Sequence, residues 1–185
     1  MELHQVEAVA PGLAARIAGA EPGRARTFAF RVARLACAVA GVHDQQALDV
    51  AREGLERYPE IDELVHLWEL ERELDAACES KLGSAPSTVT LDELQLTSEC
   101  VEARAVAAVI AALTPDARDA ARGATYEALT AGCDGRELEA IADQVLDPSA
   151  DAEGADSLEG ADNADDADSA DSTGASSASE RPSQD

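Results

Sequence analysis

The stretch FAFRVARLACAVAGVHDQQALDVAREGLE, residues 28–56, decides the fold class. Phe28, Val32, Leu35, Val39 and Val42 recur at alternating four- and three-residue steps. That spacing places them on one stripe of a helix over about residues 25–41. Gly41 can end it, because glycine adopts the left-handed conformation that closes a helix without a Cβ clash. Asp44 then stands where a carboxylate can accept the first free N–H groups of a second helix. Leu48, Ala51, Leu55 and Tyr58 are expected to line the buried face of that helix before Pro59 stops it.

The same punctuation continues outward in both directions. A longer helix is expected at roughly 60–82, with Ile61, Leu64, Val65, Trp68, Leu74 and Cys78 facing inward and Gly83 closing it. Trp68, the largest of these side chains, is expected to fill core space. After the GSAPS loop, Thr90-x-x-Glu93 reads as a capping box ahead of Leu91, Leu94, Val101, Val109, Ile110 and Leu113. A short extended TVTL segment fits there too, without a visible pairing partner. Thr114-Pro115-Asp116 predicts a restart, with Thr114 as cap and proline at the first helical position. An Ala-rich helix bearing Tyr126 and Leu129 then runs to Ala131, and Gly132 breaks it. Asp134-x-x-Glu137 makes a second capping box before Leu138, Ile141, Val145 and Leu146. Upstream, about residues 3–19 read as helical across Pro11-Gly12. The expectation is an all-α domain, a compact bundle of six or seven helices over residues 1–147. Beyond Asp147 the apolar periodicity vanishes and Leu158 is the only large apolar side chain left, so residues 148–185 are expected to form a disordered acidic tail.

Charge narrows the partners. The chain holds 38 acidic and 14 basic residues, a net charge of −24. From Pro148 onward there are 11 acids and one base, which leaves 27 acids and 13 bases in residues 1–147. The tail therefore concentrates the charge without creating it. So acidic a body disfavours direct nucleic-acid binding, which needs Lys and Arg to displace counterions. A basic protein partner is expected instead, and no membrane, because no run of 18 uncharged apolar residues exists. The start of the chain lacks a basic segment followed by a long apolar run, so no signal peptide is read and cytoplasm is the expected compartment. In that setting Cys37, Cys78, Cys100 and Cys133, widely spaced and without a CxxC pair, are expected to be reduced thiols packed as small apolar groups.

Reactive constellations are sparse. Glu63-x-x-His66 shares a helix face, but a carboxylate-bridged metal pair needs a second such motif and two more Glu. His66 is better read as solvated or capping. Cys37 and His43 stand six residues apart across Gly41, on different faces, so Cys37 reads as a buried structural thiol. There is no glycine-rich phosphate loop, GxSxG or HExxH. Neither catalysis nor a cofactor is expected.

One local contrast stands out. Arg16, Arg24, Arg26, Arg31 and Arg34 occur with a single acid, Glu21, among them. This basic patch can face a partner, the acidic tail, or the chain's own acidic helices; the last is the favoured reading. The tail run, with Asp162, Asp165, Asp166, Asp168 and Asp171, is expected to solubilise the chain, tune association rate or screen that patch.

Residues 28–56 also resemble the helical pair of bacterial immunity proteins from polymorphic-toxin systems. The matching pieces are the Ala- and Cys-bearing helix from Phe28 to Ala40, the turn at Asp44, and Ala47-Leu48-Asp49-Val50-Ala51. Gln45-Gln46 stand where that pattern has an Arg soon after the turn. The resemblance implies a non-enzymatic cytoplasmic protein that binds and blocks another protein. Composition leaves two further readings open: a nucleic-acid mimic that regulates a DNA-binding protein, and a salt-adapted helical protein of unrelated role.

Overall fold

Proline starts and glycine stops cut the chain into short helices, and the structure follows that punctuation. The computed structural model describes residues 5–84 and 97–147. Among the described residues there are eight helices and no strand: α1 (Gln5–Val9), α2 (Pro11–Gly19), α3 (Pro22–Ala40), α4 (Gln45–Glu53), α5 (Ile61–Ser84), α6 (Ser98–Ala112), α7 (Ala117–Thr130) and α8 (Gly135–Val145). The all-α expectation holds. The first segment is two helices because Pro11 opens a new one after Ala10. The Thr90–Glu93 capping box, the TVTL segment and the acidic run from Asp162 to Asp171 lie outside the described residues.

Local chemistry explains the boundaries. Gly41 has φ 69° and Gly132 has φ 89°, the left-handed conformation each stop requires. Asp44 accepts the Ala47 N–H at 2.8 Å, and Asp134 accepts the Arg136 N–H at 2.9 Å. Asp116, not Thr114, caps α7; it accepts from both Arg118 and Asp119, at 2.9 Å each. A carboxylate two residues further on thus displaces the hydroxyl that the Pro115 signal suggested. The α3 helix begins three residues before the expected start, because Glu21 accepts the Arg24 N–H at 3.1 Å and Pro22 takes the first helical position.

The α3 helix is the hub of the bundle, packing on α4, α6, α7 and α8, while α6 also packs on α5 and α7. About half of the buried apolar side chains are alanine, notably Ala25, Ala29, Ala33 and Ala36 of α3 and Ala120, Ala121, Ala124 and Ala128 of α7. Such small faces let helix backbones come close, each contributing less burial energy than a leucine would. A Cβ on Gly123 of α7 would lie only 3.1 Å from the Ala111 Cβ of α6, which shows how near the two run. Phe28 and Phe30 supply the bulk at the centre, 0% and 2% exposed.

Two expectations about side chains are overturned. Cys78 and Cys100 are not free thiols: they form a disulfide that ties α5 to α6, with Cα atoms 5.0 Å apart. Their separation of 22 residues in sequence hid the pairing, which only the antiparallel return of α6 along α5 creates. Cys37 and Cys133 are the buried free thiols expected of all four. Secondly, Val39, Leu55, Tyr58, Ile61, Val65 and Trp68, expected to face inward, are exposed. The α4 helix stops at Glu53, so Leu55 and Tyr58 leave its face; Ala47, Val50 and Ala51 fill the core there instead.

Candidate functional site

The five arginines of the basic patch go largely to the chain itself. Arg16 of α2 meets three acids on or just after α8: Glu139 at 2.8 Å, Asp143 at 2.9 Å and Asp147 at 3.1 Å. Arg24 donates to the Asp147 carbonyl at 2.7 Å, and Arg31 to the Gln144 side chain at 3.3 Å. Arg26 reaches the end of α6, donating to the carbonyls of Ala112, Thr114 and Pro115 at 2.6–2.7 Å. A guanidinium suits this place, because its planar fork satisfies several carbonyls left open at a helix end. Arg34 alone of the five is exposed with no recorded partner among the described residues.

The apolar surface that stands out lies elsewhere, on α5. This helix has two apolar faces. Leu64, Leu67 and Leu74 point into the bundle, with Leu67 fully buried. Ile61, Val65 and Trp68, spaced by four and three residues, share a different face and are 77%, 41% and 55% exposed. Leu55 and Tyr58, 45% and 69% exposed, precede them in the connection from α4. Leu55 and Tyr58 also line a cleft of about 330 Å³, whose other walls include Phe30, Gly54, Leu113 and Pro115. Single exposed apolar residues are ordinary; five within fourteen residues, adjoining a cleft, form a patch.

Ion pairs and hydrogen bonds hold this patch in place. Arg57 grips Glu63 with two bonds of 2.7 Å and reaches back to Glu53 at 3.1 Å, fastening the connection to the first turn of α5. Glu63 also accepts the Glu60 N–H at 2.7 Å. The Arg57 bonds, helped by that N–H, hold the Glu63 carboxyl down to about 2, so the clamp stays charged through all but strong acid. His66 Nε2 lies 3.0 Å from Asp44 Oδ2, while the other Asp44 oxygen caps α4. One carboxylate thereby sets the junction of α4 and α5.

The rim of the patch is acidic. Glu56, Glu60, Asp62, Glu69 and Glu73 are exposed and make no side-chain ion pair with a described residue. The nearby bases are engaged, Arg52 by Asp49 and Glu53, and Arg57 by Glu53 and Glu63. Only Arg72, one turn beyond Trp68, is an exposed base on the same face.

Deeper groups have structural partners. Arg104 of α6 binds Asp75 of α5 at 2.6 Å and Glu127 of α7 at 3.2 Å, joining three helices. Burial pushes the Glu127 and Glu71 carboxyls up against the pull of that guanidinium. Burial likewise raises the Cys37 thiol to about 12 and the Cys133 thiol to about 11, values at which neither forms the nucleophilic thiolate near neutral pH. Among the described residues no group of three or more His, Cys, Asp or Glu is placed to hold a metal ion. No described helix is long and apolar enough to cross a membrane.

Reading the sequence for one stripe per helix merged the two faces of α5. Charge does not separate the two faces either, because acids at 62, 69 and 73 flank the outer one while Glu71 and Asp75 lie on the side that meets Arg104 of α6. No family model, curated protein or solved structure matches this chain.

Proposed function

We propose that the chain is a non-enzymatic, acidic protein-binding module of the inhibitor, immunity or adaptor type, acting on a basic protein partner. The observation that supports this reading is the exposed set Leu55, Tyr58, Ile61, Val65 and Trp68, bounded by exposed acids that make no ion pair among the described residues. An apolar centre inside a charged rim is the anatomy of a protein interface: the centre supplies burial, and the rim steers association and selects against like-charged partners. Aromatic side chains such as Trp68 and Tyr58 are typical anchors. The basic patch is a weaker candidate, since Arg16, Arg24, Arg26 and Arg31 already hold the bundle together. The Cys78–Cys100 bond shifts the expected setting from a reducing cytoplasm toward an oxidising compartment.

The test uses three full-length baits on lysate from the source cells, each washed at rising salt. They are the native chain, a Val65→Asp variant, and a variant with Asn at Asp162, Asp165, Asp166, Asp168 and Asp171. A partner kept by the native and Asn-substituted chains but lost by Val65→Asp supports the module reading. A partner lost only on replacing the five Asp would move the function to the acidic run and overturn it.

A further inference from the structure

We infer that the outer face of α5 receives a basic amphipathic α-helix of the partner protein, laid along Ile61, Val65 and Trp68 with one large apolar side chain seated in the adjoining cleft. The inference rests on the module reading above and specifies its ligand.

Backbone chemistry selects a helix. An extended peptide gains affinity by adding a strand to an open sheet edge, and the described residues contain no sheet. The α5 backbone is already bonded within the helix, so it offers an incoming chain no ladder of donors and acceptors. A helix brings its own backbone satisfied and needs only side-chain contact. The ridge it meets is straight, because spacings of four and three residues keep Ile61, Val65 and Trp68 in line over about 10 Å of helix axis. Beside its N-terminal end, the cleft of about 330 Å³ has Phe30, Leu55, Tyr58 and Leu113 on its apolar side and Arg26, Glu56 and Arg57 on its polar side, room for one large side chain.

Charge selects the sign. Five exposed acids with no ion pair to a described residue, Glu56, Glu60, Asp62, Glu69 and Glu73, border the ridge against two exposed bases, Arg72 and Arg57, and Arg57 is already matched by Glu53 and Glu63. A second copy of the chain would set the same acid excess against itself, at a net charge of −24 per copy. The residues after Asp147 carry 11 acids and one base, so they too are repelled. Residues 85–96 carry Asp92 and Glu93 and no base, so the same argument from charge applies to them. Anionic lipid is disfavoured on the same electrostatic ground.

Trp68 is the only tryptophan, so its emission reports on the ridge alone. The experiment titrates the full-length protein with synthetic 18-residue peptides: Leu and Lys in helical periodicity, the same composition scrambled, and a periodic Leu/Glu version. The expected result is a saturable blue shift with the periodic Leu/Lys peptide, at least tenfold tighter than with the scrambled one, and no shift with Leu/Glu. Val65→Asp should weaken binding at least tenfold with an unchanged circular dichroism spectrum. Should that variant fail to fold, the surface variant Asp62→Lys with Glu69→Lys and Glu73→Lys should transfer the preference to the Leu/Glu peptide. Equal binding of scrambled and periodic peptides overturns the inference. So does a blue shift that grows with protein concentration alone, which would identify a second copy, or one produced by phosphatidylserine vesicles but not by peptide. A Val65-dependent partner in the capture experiment, with no periodic peptide bound, would leave the module reading standing and remove the helix.

Discussion

The centre of the bundle and its α5 edge use apolar residues in opposite ways. Around α3 the faces are alanine, closely approached and fully buried. On the outer side of α5 the residues are large, Ile61, Val65 and Trp68, and each is more than two-fifths exposed. A chain short of large side chains places two Phe at the hub and leaves its one Trp in water. Folding alone does not call for that arrangement, since the same tryptophan would gain more by burial. The comparison teaches that size of side chain and contribution to the core are separate properties here, and each can be tested.

The largest effect is expected at the hub. Phe28→Ala removes a ring that is 0% exposed among small neighbours unable to fill the hole, and should cost about 3–5 kcal/mol in urea unfolding. A loss under 1 kcal/mol would show that the alanine faces collapse around the gap and would break the contrast. Next comes the bond between edge and centre. Reducing Cys78–Cys100 frees a closure of 22 residues and should lower stability by about 3 kcal/mol, read as a fall in Tm with reductant that a Cys78→Ser, Cys100→Ser double variant does not show.

Gly54→Ala probes the border between the two regions. The backbone there is ordinary helical, with φ −62°, but an added Cβ would lie 2.2 Å from the Phe30 ring. Overpacking should cost about 1–3 kcal/mol. A neutral result would mean that the Phe30 ring swings into the cleft, which would then be smaller than the ligand helix requires. Trp68→Ala should have the smallest effect on stability, within about 0.5 kcal/mol, while abolishing peptide binding. A large loss of stability would place Trp68 with the hub and erase the comparison.

These two regions were not equally legible in the sequence. The hub was readable because α3 obeys one period between a proline start and a glycine stop, although the true inner stripe runs through Ala29, Ala33 and Ala36 and leaves Val39 outside. Alanine carries little hydropathic contrast, so the pattern of larger residues pulled the assigned face round toward Val39. The edge was obscure for a different reason. Two apolar stripes on one helix superpose in a periodicity reading, and only the packing of α6 and α4 against it determines which is covered. The Cys78–Cys100 pair was hidden in the same way, by a contact that spacing does not announce. The arginines of the basic patch showed their charge but not their targets, since Arg26 serves carbonyls 86 to 89 residues away.

The place of α5 at the rim of the bundle has an evolutionary consequence. Substitutions at Ile61, Val65 and Trp68 leave the alanine-lined interior untouched, whereas almost any enlargement inside it is penalised. Descendants of this chain can therefore exchange one binding preference for another by successive changes on a single helix face while inheriting the scaffold intact. Divergence among relatives is expected to concentrate on that face, with the hub alanines and Gly54 as the fixed positions against which it is measured.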